Sequence, residues 1–500
     1  MTSAPTPPRA AASVLARIPD GSAVLFFVQV FATLAYAVLY SSLVLYATQR
    51  MGFSNAQAAL MMGVFGAFNY GLHLFGGYLG GRLLSNRNLF VGGMVLQVLG
   101  CALIARGGLE DLYWGLALFL TGSGLNVTCL NMMLTQRFAP EDQRRETAFM
   151  WNYAGMNLGF FVGFAVAGYF QLSQRYSALF IFATLGGLAS IALSMAFWRT
   201  LADRDTPLLG VTPGQFRLRF VAGWAIVLAL VPLLWWLLHH PSDTGQMFKL
   251  VGAAVAVALV VLTLRHPVAA ERRRMWAYLV LTAGSLVFWS LYQMAPSGLQ
   301  LFAVGNVRME IAGMAVAPQW VQNINTIVIV LCGPALAHAF MRLRERGWPV
   351  DVPQQFAASL LLMGLGFLAL PAGIALADTQ GRVDFGWLAL SYVLQSLGEL
   401  LISPIGYAMI GRLAPRQYQG VMMGSWMLVS GLASLFAADF SSVVATPEGA
   451  EGAAALVTNP AYSQLFTQLG SGALVMALAL ALLVPFLRRL IDAPAPQASR

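Results

Sequence analysis

Charged side chains are scarce in this chain, making up only 10% of its 500 residues. A soluble domain carries about 25%, because it must keep a wet surface, so an ordinary soluble protein is excluded. Lysine is nearly absent. Lys249 is the single one, and the formal charge of +9 rests on arginine. Cysteine is equally sparse: Cys101, Cys129 and Cys332 all fall inside apolar runs, without the spacing of metal ligands or of a disulfide framework. A Walker A loop, an HExxH helix and a plausible catalytic triad are also missing, and these are the parts by which a primary pump or an intramembrane hydrolase is recognised. The sequence thus implies no enzyme, no cofactor, no metal and no nucleic-acid partner.

What is abundant is hydrophobic surface. Apolar residues make up 58% of the chain, in runs that can each cross roughly 30 Å of hydrocarbon. Their lengths predict an all-α membrane protein with fourteen spans. These fall at about 24–47, 57–84, 89–105, 112–136, 148–170, 177–198, 220–238, 248–264, 275–295, 320–341, 355–377, 385–411, 419–444 and 463–487. Only His239 to Gly245 separates spans seven and eight, which marks them as a hairpin inserted between two six-helix halves. The expected organisation is a cytoplasmic N-terminal segment (1–21), a first bundle (22–200), a linker with the hairpin (201–274), a second bundle (275–487) and a cytoplasmic tail (488–500). The stretch Thr2 to Ala16 is rich in Pro and Ala and lacks the apolar core of a signal peptide.

Arginines cluster at alternate helix ends. Arg82 and Arg87, Arg137, Arg144 and Arg145, Arg199 to Arg219, Arg265 to Arg274, Arg342 to Arg346, Arg412 and Arg416, and Arg488 and Arg489 mark one side. The opposite loops hold mostly single arginines, such as Arg50, Arg106, Arg175, Arg308 and Arg382. The positive-inside rule therefore places both termini in the cytoplasm. Six plus six helices with both termini on one side is a common layout of secondary transporters, whose substrate sites lie between the halves. Lys249, at the start of the second hairpin helix, reads as an interfacial anchor that extends its ammonium toward water.

Polar residues inside such helices face the bundle interior or a wet cavity, because lipid offers them no hydrogen bond. Gln29, Thr33, Tyr36 and Tyr40 share one face of the first span, and Asn69 and His73 share one of the second, with Tyr70 beside them. Tyr153 pairs with Asn157, Gln322 with Asn325, and Ser396, Glu399 and Ser403 line up near residue 400. Interhelical packing accounts for the serines, Thr33 and Gln322; the tyrosines suit packing and pocket lining equally. Glu399 stands apart as an acid placed at mid-span, where an unpaired charge is costly to bury, and it is expected to be functional. His73 reads either as a neutral hydrogen-bonded group or as a proton carrier.

Several stretches resemble the proton-dependent oligopeptide transporter family of the major facilitator superfamily. Ser396-Leu-Gly-Glu399-Leu-Leu-Ile-Ser403-Pro404-Ile-Gly406, with Gly420 to Trp426 behind it, is similar to that family's S-x-G-E-L-x-x-S-P-x-G helix and its M-G-x-W continuation. Asn152-Tyr153-Ala-Gly-Met-Asn157-Leu-Gly159 resembles F-Y-x-x-I-N-x-G, and Gly52-Phe-Ser54, Tyr70 to Gly80, and Phe288-Trp289 resemble other family segments. The hairpin is similar to the extra helix pair of bacterial members. The resemblance implies the major facilitator fold, with twelve core helices plus the hairpin, in a bacterial inner membrane. It also implies a small peptide or peptide-like substrate, possible proton symport and a monomer in lipid.

The departures are concentrated. Where the family has E-x-x-E-R-F and then tyrosines, this chain reads Gln29, Ala32, Thr33, Leu34 and Tyr36; the fourth-helix lysine falls at Val127, and Gln293 is neutral where many members are acidic. The family associates the lost cations with the peptide carboxylate and the lost glutamates with proton coupling. The positions it associates with the substrate amine, Asn157, Asn325 and Glu399, are retained. The implied binding set is Glu399, Asn157, Asn325, Tyr36, Tyr40, Tyr70, Trp289, Gln293 and Trp426, with Glu399 and His73 as the candidates for proton coupling. A pocket with an anion and no facing cation disfavours a free carboxylate, which would lose hydration without recompense. The expected substrate is an amine-bearing peptide-like solute, carried inward with protons or moved by export or facilitation. A non-transporting receptor is the remaining alternative.

Overall fold

The computed structural model describes residues 21–139, 142, 144–348, 350–444 and 455–491. Of the terminal segments expected in the cytoplasm, 1–21 and 488–500, residues 1–20 and 492–500 lie outside the described residues, and Arg488 to Ile491 complete the last helix rather than a tail. The chain is almost wholly helical: α1 Ser22–Gln49, α2 Asn55–Leu79, α3 Asn86–Ile104, α4 Leu109–Thr135, α5 Arg144–Leu172 and α6 Tyr176–Ala196 form the first bundle. The hairpin is α7 Pro213–His239 and α8 Pro241–Leu264. The second bundle contains α9 Ala269–Tyr292, α11 Pro318–Glu345, α12 Val352–Ala375, α13 Phe385–Leu413, α14 Gln419–Val443 and α15 Ala455–Ile491, with a short α10 Gly298–Asn306 after α9. Among the described residues, fourteen of these helices are long and apolar enough to cross a membrane.

Local chemistry sets several boundaries. Ser54 with Gln57, Thr212 with Gln215 and Asp351 with Gln354 form reciprocal capping boxes that satisfy the first free N–H groups of α2, α7 and α12. The second helix ends at Leu79, five residues before the expected limit, because Gly80 is extended and Gly81 turns with φ +74°. The hairpin turn is also tighter than expected. Pro241 opens α8, so only His240 lies between the two helices. The loop after α9 contains α10 and β1 Val307–Arg308, which pairs in parallel with β4 Val383–Asp384. A minimal ribbon, β2 Glu310–Ile311 with β3 Met314–Ala315, follows it. α15 begins eight residues before the expected 463, and Asn306 hydrogen-bonds Thr458 and Asn459 in its first turn.

The two bundles meet along two seams. On α2, a Cβ at Gly63 would lie 2.5 Å from that of Ala438, and one at Gly66 would lie 2.5 Å from Ser434 Oγ, so the backbones of α2 and α14 approach closely. On the other side Trp320 Nε1 donates to the Ala165 carbonyl at 2.9 Å, and Asn323 Nδ2 donates to that of Phe161 at 3.2 Å. Gln319 bonds Gln171 at 3.3 Å, beyond them toward the start of α11. In the other direction Ile327, Val330 and Leu331 of α11 are exposed, as are Leu158, Trp151 and Met150 of α5. The hydrogen bonds that join α5 to α11 thus gather toward the end away from the termini.

Candidate functional site

Glu399, on α13, is 9% exposed at the inner face of the second bundle. Asn325 of α11 donates to its Oε2 at 2.6 Å and to Ser396 Oγ at 3.1 Å. Ser396 and Glu399 are three residues apart, one helical turn, which lets a single amide span both. The side chain of Tyr292, at the end of α9, stands close to the carboxyl. These polar neighbours are neutral. Tyr40 and Tyr153, from the first bundle, stand close enough to feel the carboxylate's charge. One acid therefore faces a wall of phenols drawn from both bundles.

Beside it a latch crosses the molecule. Tyr40 donates to Gln293 Oε1 at 3.0 Å, and Gln293 Nε2 donates to Tyr70 at 3.0 Å. The amide can do both because it carries a donor and an acceptor, which a carboxylate does not. Tyr36 stacks on Tyr40 with centroids 5.5 Å apart and accepts from Asn69, which in turn accepts from Ser123 at 3.0 Å.

The positions that lack the expected charges form a neutral network of their own. Gln29 donates to Thr33 at 2.7 Å and accepts from Asn152 at 3.4 Å, and all three are buried. Thr33 lies under Gly159, where an added Cβ would sit 2.8 Å from its own, so α1 and α5 leave it little room. Ala32 packs against the apolar core of the first bundle. Val127 is 42% exposed on α4, next to Thr128, whose hydroxyl bonds the His73 carbonyl.

Other residues depart from the expected cluster. Asn157 donates to the Tyr153 carbonyl at 2.9 Å rather than to Glu399. Trp426 is 4% exposed in the second bundle's core, its ring against Gly406 and facing Phe356. Among the described residues His73 Nε2 and Trp289 Nε1 are buried without a hydrogen-bond partner. His73 stands edge-on to Tyr70, and Trp289 packs between Phe288 and Tyr292. Lys249 is not a free interfacial anchor: it pairs with Asp439 of α14 at 2.6 Å. Sequence reasoning missed Tyr292, Asn152 and Asp439. Tyr292 is one helical turn from Trp289 and adjacent to Gln293, and that spacing was the available signal. No group of three or more His, Cys, Asp or Glu among the described residues could hold a metal.

Known proteins resemble this chain along most of its length. The profile described as the POT family matches residues 87–457. That extent decides the assignment. This chain belongs to the POT family. The dipeptide and tripeptide permease A of Erwinia pyrifoliae is 30% identical, over 99% of this chain and 100% of that protein. The dipeptide and tripeptide permease B of Edwardsiella piscicida is 30% identical over 94% and 96%. A crystal structure of peptide transporter POT in complex with sulfate superposes with a TM-score of 0.82 at 27% identity, covering 95% of this chain and 96% of that one. A mutant of a peptide transporter POT, in complex with alafosfalin, gives the same values. The POT-family chain is a peptide-transporter-like secondary transporter with the major facilitator fold, twelve core helices and an inserted pair.

Proposed function

We propose that this POT-family transporter moves a small amine-bearing peptide or peptide-like solute by alternating access, with Glu399 binding the amine. The observation that carries this reading is the Glu399 cluster: a buried carboxyl bonded by the neutral amide of Asn325, with Tyr292 close by and tyrosines of the opposite bundle near it. A substrate ammonium supplies the missing positive charge. The neutral Gln29–Thr33–Asn152 network stands where the family's cations and acids would bind a carboxylate and carry protons, and it offers a free carboxylate no ionic partner. The positive-inside asymmetry supports a bacterial inner-membrane location with cytoplasmic termini. Glu399 and His73 are the groups through which proton coupling would run.

The amide at Gln293 favours a second reading within the same fold. It bonds Tyr40 and Tyr70 without a titrating proton, which suits a facilitator or exporter of a cationic or capped peptide-derived compound. The substrate reading is tested by thermal shift and counterflow with dialanine and its C-terminal amide in parallel. Removing one partner of a desolvated carboxylate–cation pair costs about 2–5 kcal/mol. The amide should therefore bind and exchange, while dialanine stays weak. Strong saturable exchange of dialanine by the wild type would refute the assignment.

A further inference from the structure

The inserted hairpin is unused by the transport reading, yet it is built into both bundles. α7 is rooted in the first bundle. The Trp224 ring fills the space over Gly92 of α3, Trp235 stacks on Trp114 at 5.1 Å, and His239 stacks on Tyr113 at 3.8 Å. α8 turns to the second bundle, where Lys249 pairs with Asp439 at 2.6 Å and Gly252 receives the Leu432 side chain. Between these attachments Phe248 enters the α2–α14 seam. Its ring lies 3.5 Å from where a Cβ of Gly71 on α2 would be, and 3.1 Å from where that of Gly431 on α14 would be. It also meets Phe68 edge-on at 5.8 Å. Two glycines, one from each bundle, thus form a slot for one aromatic ring.

We infer that the hairpin is a conformational strap, in which Phe248 wedges the α2–α14 seam and the Lys249–Asp439 pair holds it there. Alternating access requires α2 and α14 to move past one another, because they line opposite sides of a seam between rocking bundles. A ring seated against both helices is accommodated only while their present register lasts. The filled slot therefore stabilises the present conformer, and emptying it shifts the population toward the opposite one. Lys249 is a positioning residue: it follows Phe248 directly and ties α8 to α14. Partly exposed ion pairs of this kind bias an equilibrium modestly, by about two- to five-fold.

The test uses the full chain in lipid nanodiscs, with spin labels on Ser173→Cys and Gln380→Cys, exposed positions of the two bundles at the end away from the termini. A Cys332→Ser background removes the one native thiol that is not buried. Interspin distances report whether that end is open. Lys249→Met should raise the long-distance fraction about two- to five-fold, and Phe248→Ala should raise it as well. The exchange Lys249→Asp with Asp439→Lys should restore the wild-type distribution, which a merely disrupted fold would not do. If Phe248→Ala fails to yield a monodisperse protein, Phe248→Leu replaces it, with a smaller shift in the same direction. Unchanged distributions in the Phe248 and Lys249 variants would overturn the proposal. So would a Lys249→Met shift that the charge exchange does not reverse. Neither outcome depends on which substrate the central site takes.

Discussion

At the scale of single residues, the chain replaces charge with matched neutral groups. Gln29 and Thr33 satisfy one another across one helical turn and recruit Asn152, so the buried polar atoms that bond there need no counter-ion. The close approach of α1 to α5 depends on glycine. At Gly159 an added Cβ would lie 2.5 Å from the Val30 carbonyl oxygen and 2.8 Å from the Thr33 Cβ, and neither is a flexible side-chain end. Gly159→Ala should therefore destabilise the fold by about 1–3 kcal/mol, read as a lower melting temperature in detergent. Gly472→Ala, in α15 with nothing within 4 Å, is the control and should leave the melting temperature unchanged or slightly higher, as alanine is the better helix former. Equal melting temperatures for both variants would contradict the packing account. Glu399 was legible because an acid among apolar residues is conspicuous and its serine neighbours repeat at helical spacing. Tyr292 was not, since a tyrosine at a span end suits a membrane interface as well as a site.

At the scale of elements, fourteen helices were readable because each apolar run must satisfy its own backbone in lipid, which leaves helix as the available state. Their ends were less readable. Proline at the start of α8 continues the hairpin almost without a loop, and Gly80–Gly81 ends α2 early; both effects depend on the backbone rather than on hydrophobicity. The small strands were invisible because pairing Val307 with Val383 joins segments distant in sequence. Lys249 shows the same limit, as its role depends on Asp439 of a helix far along the chain. The orientation of these elements is tested through the hairpin. A cysteine at Ser242, exposed in the first turn of α8, should label from outside intact spheroplasts, and one at Ala270, after the arginine-rich linker, should not. The reverse pattern would invert the topology.

At the scale of the whole molecule, two bundles meet across a neutral latch beside the central acid. In the Tyr40–Gln293–Tyr70 latch, at the sequence-predicted site, both cross-bundle bonds are uncharged. Titration within this part of the latch is therefore not the source of any pH response, which is left to the proposed coupling groups, Glu399 and His73. An ammonium ligand pairs with Glu399 only when the carboxyl is ionised, so amine binding releases a proton and must strengthen as pH rises through the range in which that carboxyl titrates. The direct measurement is the affinity of an amidated dipeptide as a function of pH, for the wild type and for Glu399→Gln. The account predicts wild-type binding that tightens toward neutral pH, and a variant that folds and inserts normally but binds weakly with a flat profile. A Glu399→Gln protein that binds and transports with the wild-type pH profile would contradict it.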